Sequence, residues 1–243
     1  MLKYFIYNIM SGFHHKSGLK RLRTLESKLL SREMRFAVPF VYRGSGYFKS
    51  IEPRQNPFEI EQLYRDVCSI SPGRVLEIGT AKGGTLYLWT QAAAEDAIII
   101  SVDLPGGEFG GAYPACRVPF YKAFARDQQN LHLLRSDSHD RTTLTQVREL
   151  LANAPLDFAF IDGDHTYEGV KKDFELYGPL VRPGGLIAFH DILPRPDMPE
   201  IQVDLFWKEL KGMYDTEEFI GPETSGRKIG IGIVRVGDHG ITQ

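Results

Sequence analysis

The chain has 243 residues, 42% of them hydrophobic and 25% charged, enough for one large domain or one domain with a small appendage. A net charge of -2 provides no general attraction to nucleic acid or to an anionic surface. Two cysteines, Cys68 and Cys116, are too few for a disulfide framework or a structural zinc site, so a reducing, cytoplasmic setting is the default expectation.

The charge is unevenly spread. Residues 1–35 carry a net +6, which leaves -8 for the remainder. Such an arm reads first as a solvated helix or tail. The sharper alternative is a contact with a membrane surface or an acidic partner chain. The apolar run Leu2–Met10 is far shorter than the roughly 20 residues a bilayer span needs, and no small-residue cleavage site follows it, so no signal peptide is expected. Apolar positions 19, 22, 25, 29 and 30 suit an amphipathic helix over Leu19–Arg35. Pro39, Gly44, Gly46, Pro53 and Pro57 break the stretch that follows into an irregular connector. Residues 1–56 therefore form a basic helical extension and connector, and residues 57–243 the main domain.

From Pro57 onward helical and strand patterns alternate. A helix over Phe58–Ile70 precedes the strand Arg74–Gly79, and a second helix runs from Gly84 to Ala93. The strand Ala97–Leu104 leads into Pro105–Gly111, a loop with four glycines. A helix over Phe120–Gln129, the strand Leu131–Asp137 and a helix over Arg141–Leu151 come next. Asp157–Asp162 is a fourth strand, Tyr167–Val181 a helix, and Pro183-Gly184-Gly185 a turn into the fifth strand, Leu186–His190. A helix over Glu200–Met213 and two β runs, Thr216–Ile220 and Ile229–Val236, complete the chain. Alternation of this kind predicts an α/β fold with a mostly parallel sheet covered on both faces, ended by an antiparallel pair. Ligands in such sheets bind beyond the carboxyl ends of the strands.

The informative residues cluster at those ends. Glu77-Ile-Gly-Thr-Ala-Lys-Gly-Gly84 closes the first strand. Gly79 allows a tight turn, and Gly83 and Gly84 allow close backbone approach. A nicotinamide-binding turn reads G-x-G-x-x-G, but Ala81 stands at the second glycine place. The acidic Glu77 suits a ligand ammonium, such as the methionine end of S-adenosylmethionine, better than a pyrophosphate. Asp103 ends the second strand, where a carboxylate can accept from ribose hydroxyls. Asp137 and Ser138 follow the third, where Asp137 can accept from an adenine amino group or simply cap a helix. Glu77, Gly79, Thr80, Gly83, Asp103, Asp137 and Ser138 are the candidate cofactor residues. The fourth and fifth strands contribute Asp162, His165, His190 and Asp191. Carboxylates there suit a hard divalent ion such as magnesium, held by Asp162, His190 and Asp191. An imidazole with a pKa near neutrality can take a proton from a hydroxyl.

The segments EIGTAKGGTL and IDGDHTYEGVKKDFELYGPLVRPGGLIAFHD resemble the class I S-adenosylmethionine-dependent methyltransferases, in the group with cephalosporin-hydroxylase-like and macrolide-sugar O-methyltransferases. The resemblance covers roughly residues 55–236 and implies a Rossmann-like methyltransferase sandwich with a seven-stranded sheet. It implies Asp162 as metal ligand, His165 as base and Asp191 as a further ligand. His190 departs from the acidic residue of the sugar-modifying members. Gln55-Asn56-Pro57 resembles the lead-in that lines the cleft. The implied activity is O-methyl transfer to a hydroxyl of a sugar or small polyhydroxylated metabolite, with S-adenosylmethionine as cofactor and magnesium as candidate ion. A nicotinamide-dependent oxidoreductase and a non-catalytic glycan-biosynthesis protein on the same fold are the alternatives. A small-molecule acceptor, no nucleic acid and a homo-oligomer complete the expected partners. The loop Pro105–Pro119, with Tyr113 and Arg117, is expected to act as a lid.

Overall fold

Each strand of the central sheet sends alternate side chains to opposite faces. In the computed structural model, which describes residues 41–42, 51–105, 113–126, 128–223 and 228–241, that alternation divides the core in two. Val75, Ile99, Phe158, Phe160, Leu186 and Ile233 face one side, while Leu76, Ile100, Ala159, Ile161, Ile187 and Val234 face the other. Both sets are buried because helices cover both faces, as parallel sheets require.

Helix α1 spans Pro57–Ile70. Asn56 accepts from the amide of Phe58 at 2.9 Å and Pro57 holds the first helical position, so cap and backbone restriction agree on where the helix starts. Strand β1 (Arg74–Ile78) leads to α2 (Gly84–Ala92), and β2 (Ile98–Val102) to a short α3 (Val118–Lys122). Strand β3 (Asn130–Leu134) precedes α4 (Arg141–Leu150). Strand β4 (Leu156–Ile161) precedes α5 (Tyr167–Tyr177), whose first turn is capped by Thr166. Strand β5 (Val181–His190) is followed by α6 (Val203–Met213), β6 (Asp215–Phe219) and β7 (Ile231–Arg235). Residues of α1, α2 and α3 pack on one face, and those of α4, α5 and α6 on the other.

The sheet order is β3-β2-β1-β4-β5-β7-β6. All pairs through β5 are parallel, and β7 runs antiparallel to both β5 and β6. The expected seven-stranded α/β sandwich with its antiparallel end is therefore present, with the last strand inserted inside the edge. Three expectations need correction. The helix expected to reach Val181 ends at Tyr177 and passes through a 3-10 turn at Gly178–Leu180, because Pro179 cannot continue the α-helical hydrogen bonds. Pro183-Gly184-Gly185 belongs to β5 rather than to a turn before it. There the register with β4 slips between Leu156 and Phe158, and an irregularity of this kind is how a strand accommodates Pro and Gly. The helix expected over Phe120–Gln129 is only Val118–Lys122.

The basic arm, the helix expected at Leu19–Arg35 and most of the connector lie outside the described residues. No helix among the described residues is long and apolar enough to cross a membrane.

Candidate active site

Strand order reverses between β1 and β4, so their carboxyl ends open the crevice where such sheets take ligands. Gly79 leaves β1 with a φ of 93°, donating its amide to Val102 O at 2.8 Å. Opposite it, Asp162 leaves β4 and donates its amide to Ile78 O at 2.9 Å. The two backbones meet so closely that a Cβ on Gly79 would lie 1.9 Å from Asp162 O. Glycine is needed twice over here, for the positive φ and for the contact. Gly83 caps α2 at φ 82° beneath the ring of Tyr121, 2.8 Å from where a Cβ would stand. The turn thus leads into a helix N-terminus, a natural seat for negative ligand groups.

Glu77 underpins this turn. Its side chain is fully buried, with one oxygen accepting from Thr85 Oγ1 at 2.6 Å and Trp89 Nε1 at 3.1 Å, and the other from Ser101 Oγ at 2.6 Å. These neutral donors do not offset the loss of hydration, and burial pushes the Glu77 carboxyl up to about 8. These bonds let Glu77 brace the turn from below. Thr80 continues the same network, its hydroxyl 2.5 Å from Ser101 Oγ. Asp103, also buried, accepts from the amide of Ala81 at 2.8 Å, so the end of β2 holds the turn from the side. Asp137 is half-exposed and accepts from the amide of His139 at 2.8 Å. The carbonyl of Ser138 accepts from Tyr177 OH at 2.7 Å.

The tips of β4 and β5 build a different kind of group. Asp162 Oδ1 lies 3.2 Å from both His165 Nε2 and His190 Nδ1. Asp191 Oδ2 lies 3.4 Å from His165 Nε2 and 3.3 Å from His190 Nδ1. The outer oxygens are held by other donors. Gln55 Nε2 donates to Asp162 Oδ2 at 2.7 Å, and Arg195 to Asp191 Oδ1 at 2.9 Å. One ligand atom from each of Asp162, His165, His190 and Asp191 falls within 4.8 Å of the others, a set able to hold a metal ion. Asp191 is held in the left-handed region at φ 59°, an uncommon conformation for a residue other than glycine and one found preferentially at functional sites.

Charge pairing sets the protonation of this group. Burial alone would raise the Asp162 carboxyl, but His190 and His165 outweigh it and hold it well below the usual carboxylate range. Asp191 is lowered in the same way, chiefly by His190 against its own burial. Burial lowers His165 and His190, yet the facing carboxylates raise both, His190 by far the more.

All four residues expected in the reaction centre therefore meet, and Gln55 joins them from the connector. Asp164 does not. Its carboxylate accepts from the amide and hydroxyl of Thr166 at 2.9 and 2.8 Å, shaping the start of α5. Arg195 was not anticipated, and its spacing four residues after Asp191 is the signal that could have found it. His139 and Asp173 were also missed; they lie 3.3 Å apart beneath the β3 tip. Of the expected lid, residues 106–112 lie outside those described. Its later part is docked on the glycine turn: buried Tyr113 packs on Tyr121, and Tyr121 OH donates to Ala81 O at 3.1 Å.

A family model described as a methyltransferase domain matches residues 76–192, from β1 through the tip of β5. Over that stretch the chain is similar to a methyltransferase domain. Solved structures agree on the fold of this domain. The O-methyltransferase TomG of Streptomyces achromogenes, in complex with S-adenosylmethionine, aligns over 89% of this chain and 96% of its own, with a TM-score of 0.55 at 16% identity. An O-methyltransferase of Bacillus cereus, in complex with S-adenosylhomocysteine, aligns over 88% and 96%, with a TM-score of 0.57 at 18% identity. Among curated proteins, an uncharacterized protein of Sinorhizobium fredii is 28% identical over 170 residues, 68% of this chain but 18% of its own length. One of Acanthamoeba polyphaga mimivirus is 28% identical over 152 residues, 60% of this chain and 58% of its own. The chain thus spans only part of the length of the curated relatives it matches.

Proposed function

We propose that the domain transfers a methyl group from S-adenosylmethionine to a hydroxyl of a sugar or small polyhydroxylated metabolite. The carrying observation is the contact between Gly79 and Asp162, which puts a nucleotide-type turn and a paired His–Asp cluster into one crevice. The complexes of TomG and of the Bacillus cereus enzyme with S-adenosylmethionine and S-adenosylhomocysteine support the cofactor. It would lie over Gly79, Thr80 and Gly83, with Glu77 on the side of its ammonium, Asp103 toward the ribose hydroxyls, and Asp137 and Ser138 beside the adenine.

In this reading the acceptor oxygen attacks the methyl carbon in line as the carbon–sulfur bond breaks, leaving S-adenosylhomocysteine and a methyl ether. His165, at the accessible side of the cluster, takes the hydroxyl proton. Asp162 and Asp191 orient its ring and stabilise the imidazolium that forms. Gln55 and Arg195 keep those carboxylates from turning. Most of the rate comes from positioning. The donor set fits a divalent ion. Asp162, His190 and Asp191 would hold it, and when bound it would lower the pKa of the acceptor hydroxyl. Magnesium is the ion this reading begins from. A cytoplasmic setting, a homo-oligomer and a membrane or partner contact through residues 1–35 belong to the same reading.

A radiolabelled methyl-transfer screen against sugars and small phenols, with and without magnesium, tests it. Label in a sugar or polyol supports the acceptor class, and label confined to phenols overturns it. Calorimetry with S-adenosylmethionine and with a nicotinamide dinucleotide separates the oxidoreductase alternative. Binding of the nicotinamide alone would sink the methyl-transfer reading.

A further inference from the structure

The loop between β3 and α4, residues 135–140, is fastened to α5 by side chains that the methyl-transfer chemistry leaves unused. His139 in this loop is half-buried and faces an acid on each edge of its ring. Nε2 lies 3.1 Å from Gly169 O and 3.3 Å from Asp173 Oδ1, both on α5. A carbonyl oxygen only accepts, so Nε2 carries the proton. Nδ1 lies 4.0 Å from Asp137 Oδ1, the same oxygen that accepts from the His139 amide at 2.8 Å. Asp173 is fully buried, and its carboxylate has no well-aligned hydrogen bond among the described residues. A carboxylate taken out of water needs a charged partner. The imidazole is that partner, and Asp173 raises it above its usual value against its own burial. Lys172 and Asp164 are the other charged groups that act on the pair. Tyr177 OH, also on α5, makes a second tie by donating to Ser138 O at 2.7 Å. Asp173 reaches the reaction loop as well, since a Cβ on Gly163 would stand 3.5 Å from its Oδ2.

We propose that His139, held between Asp173 and Gly169 O, makes the cofactor site specific for adenine by fixing the β3–α4 loop so that Asp137 meets the 6-amino group of the base. The inference rests on the proposed function, in which Asp137 lies beside the adenine. The Asp137 side chain is 44% exposed, so a ligand can reach it. Its direction is set from within the loop, where the His139 amide holds Oδ1, and the loop in turn is set by the His139 ring. A carboxylate accepts from the amino group of adenine. A 6-oxo base puts an acceptor at the same place, so two acceptors would face each other and neither would be satisfied. The discrimination is as sharp as the loop is fixed, because a carboxylate free to swing away escapes that clash and also costs more to order on binding. His139 touches no cofactor in this arrangement and acts as a positioning residue for Asp137.

The test is calorimetry of the full chain with S-adenosylhomocysteine and with its hypoxanthine counterpart, S-inosylhomocysteine. The unmutated chain should prefer the adenine compound about 10- to 100-fold. His139→Ala should cut that preference about 3- to 10-fold. His139→Gln, whose amide can still donate to Gly169 O and Asp173, should keep it. Because His139→Ala strands a buried carboxylate and can fail to fold, the second variant replaces both partners, His139→Leu with Asp173→Leu. Apolar replacement of a whole buried pair is tolerated where removal of one partner is not, and the preference should still fall in this double variant. A role confined to charge balance would leave it intact there. Equal binding of the two compounds by the unmutated chain, or an unchanged preference in His139→Ala or in the double variant, would overturn the proposal and leave methyl transfer standing. An unmutated chain that binds neither compound would fault the proposed function itself, and this inference with it.

Discussion

Glu77, buried, and Asp162, half-buried, are carboxylates on adjacent strand ends, yet their surroundings drive them in opposite directions. Glu77 receives only hydroxyl and indole donors and is pushed up to about 8 by burial. Asp162 faces two imidazoles and an amide, and is held well below its ordinary value despite its own burial. Neutral hydrogen bonds satisfy a carboxylate's geometry without repaying the desolvation of its charge, and cationic partners repay it. The β1 side of the crevice is accordingly braced by a carboxyl held toward its neutral form. The β4–β5 side is a charged group whose protons can move.

The largest effect expected from breaking this arrangement is at the seam between the two sides. Gly79→Ala would set a Cβ against Asp162 O, 1.9 Å away, at a positive φ. The cost should be about 3 kcal/mol or more. Thermal denaturation should show the loss, and calorimetry should show S-adenosylmethionine binding lost with it. On the charged side alone, Asp162→Ala and His165→Ala should each lower turnover about 10²- to 10⁴-fold with cofactor affinity retained. Full activity in both variants would remove the His–Asp cluster from the mechanism.

The neutral side should show itself in the pH dependence of stability. The Glu77 pKa is higher folded than unfolded, so folding takes up a proton. The stabilisation is complete below about pH 4.3 and is lost as pH rises to about 8, by about 1.4 kcal/mol per unit. Glu77→Gln should flatten that slope in denaturant titrations, and an unchanged slope would show that Glu77 is ionised in the fold. Thr166→Ala gives the smallest effect. It removes the acceptor for Gly169 N at 3.1 Å and should cost about 1 kcal/mol, shifting the melting midpoint without changing the pH slope that Glu77 sets.

The residues of the His–Asp cluster were legible in the sequence because strand ends carry them. Asp162, His165, His190 and Asp191 each follow a recognisable strand, and in a parallel sheet adjacent strand tips must meet. The class I methyltransferase reading came from the same two segments, and the family match covers both. Glu77 was legible as a residue of the turn but not in its role, since its partners Thr85, Trp89 and Ser101 come from α2 and β2. Arg195 carried only its spacing of four residues from Asp191 as a signal. The short α3 and the Pro–Gly start of β5 were misread where tertiary pairing overrides local preference.

By itself, the sequence determined the α/β class, the order of elements and the chemistry-bearing residues at the strand ends. It could do so because hydrophobic period and glycine placement are local properties of the chain. Only the tertiary structure decided which carboxylates keep their charge. That depends on burial and on partners from other elements: His190, 28 residues away in sequence, holds Asp162 low, whereas Glu77 meets only hydroxyl and indole donors from Thr85, Trp89 and Ser101.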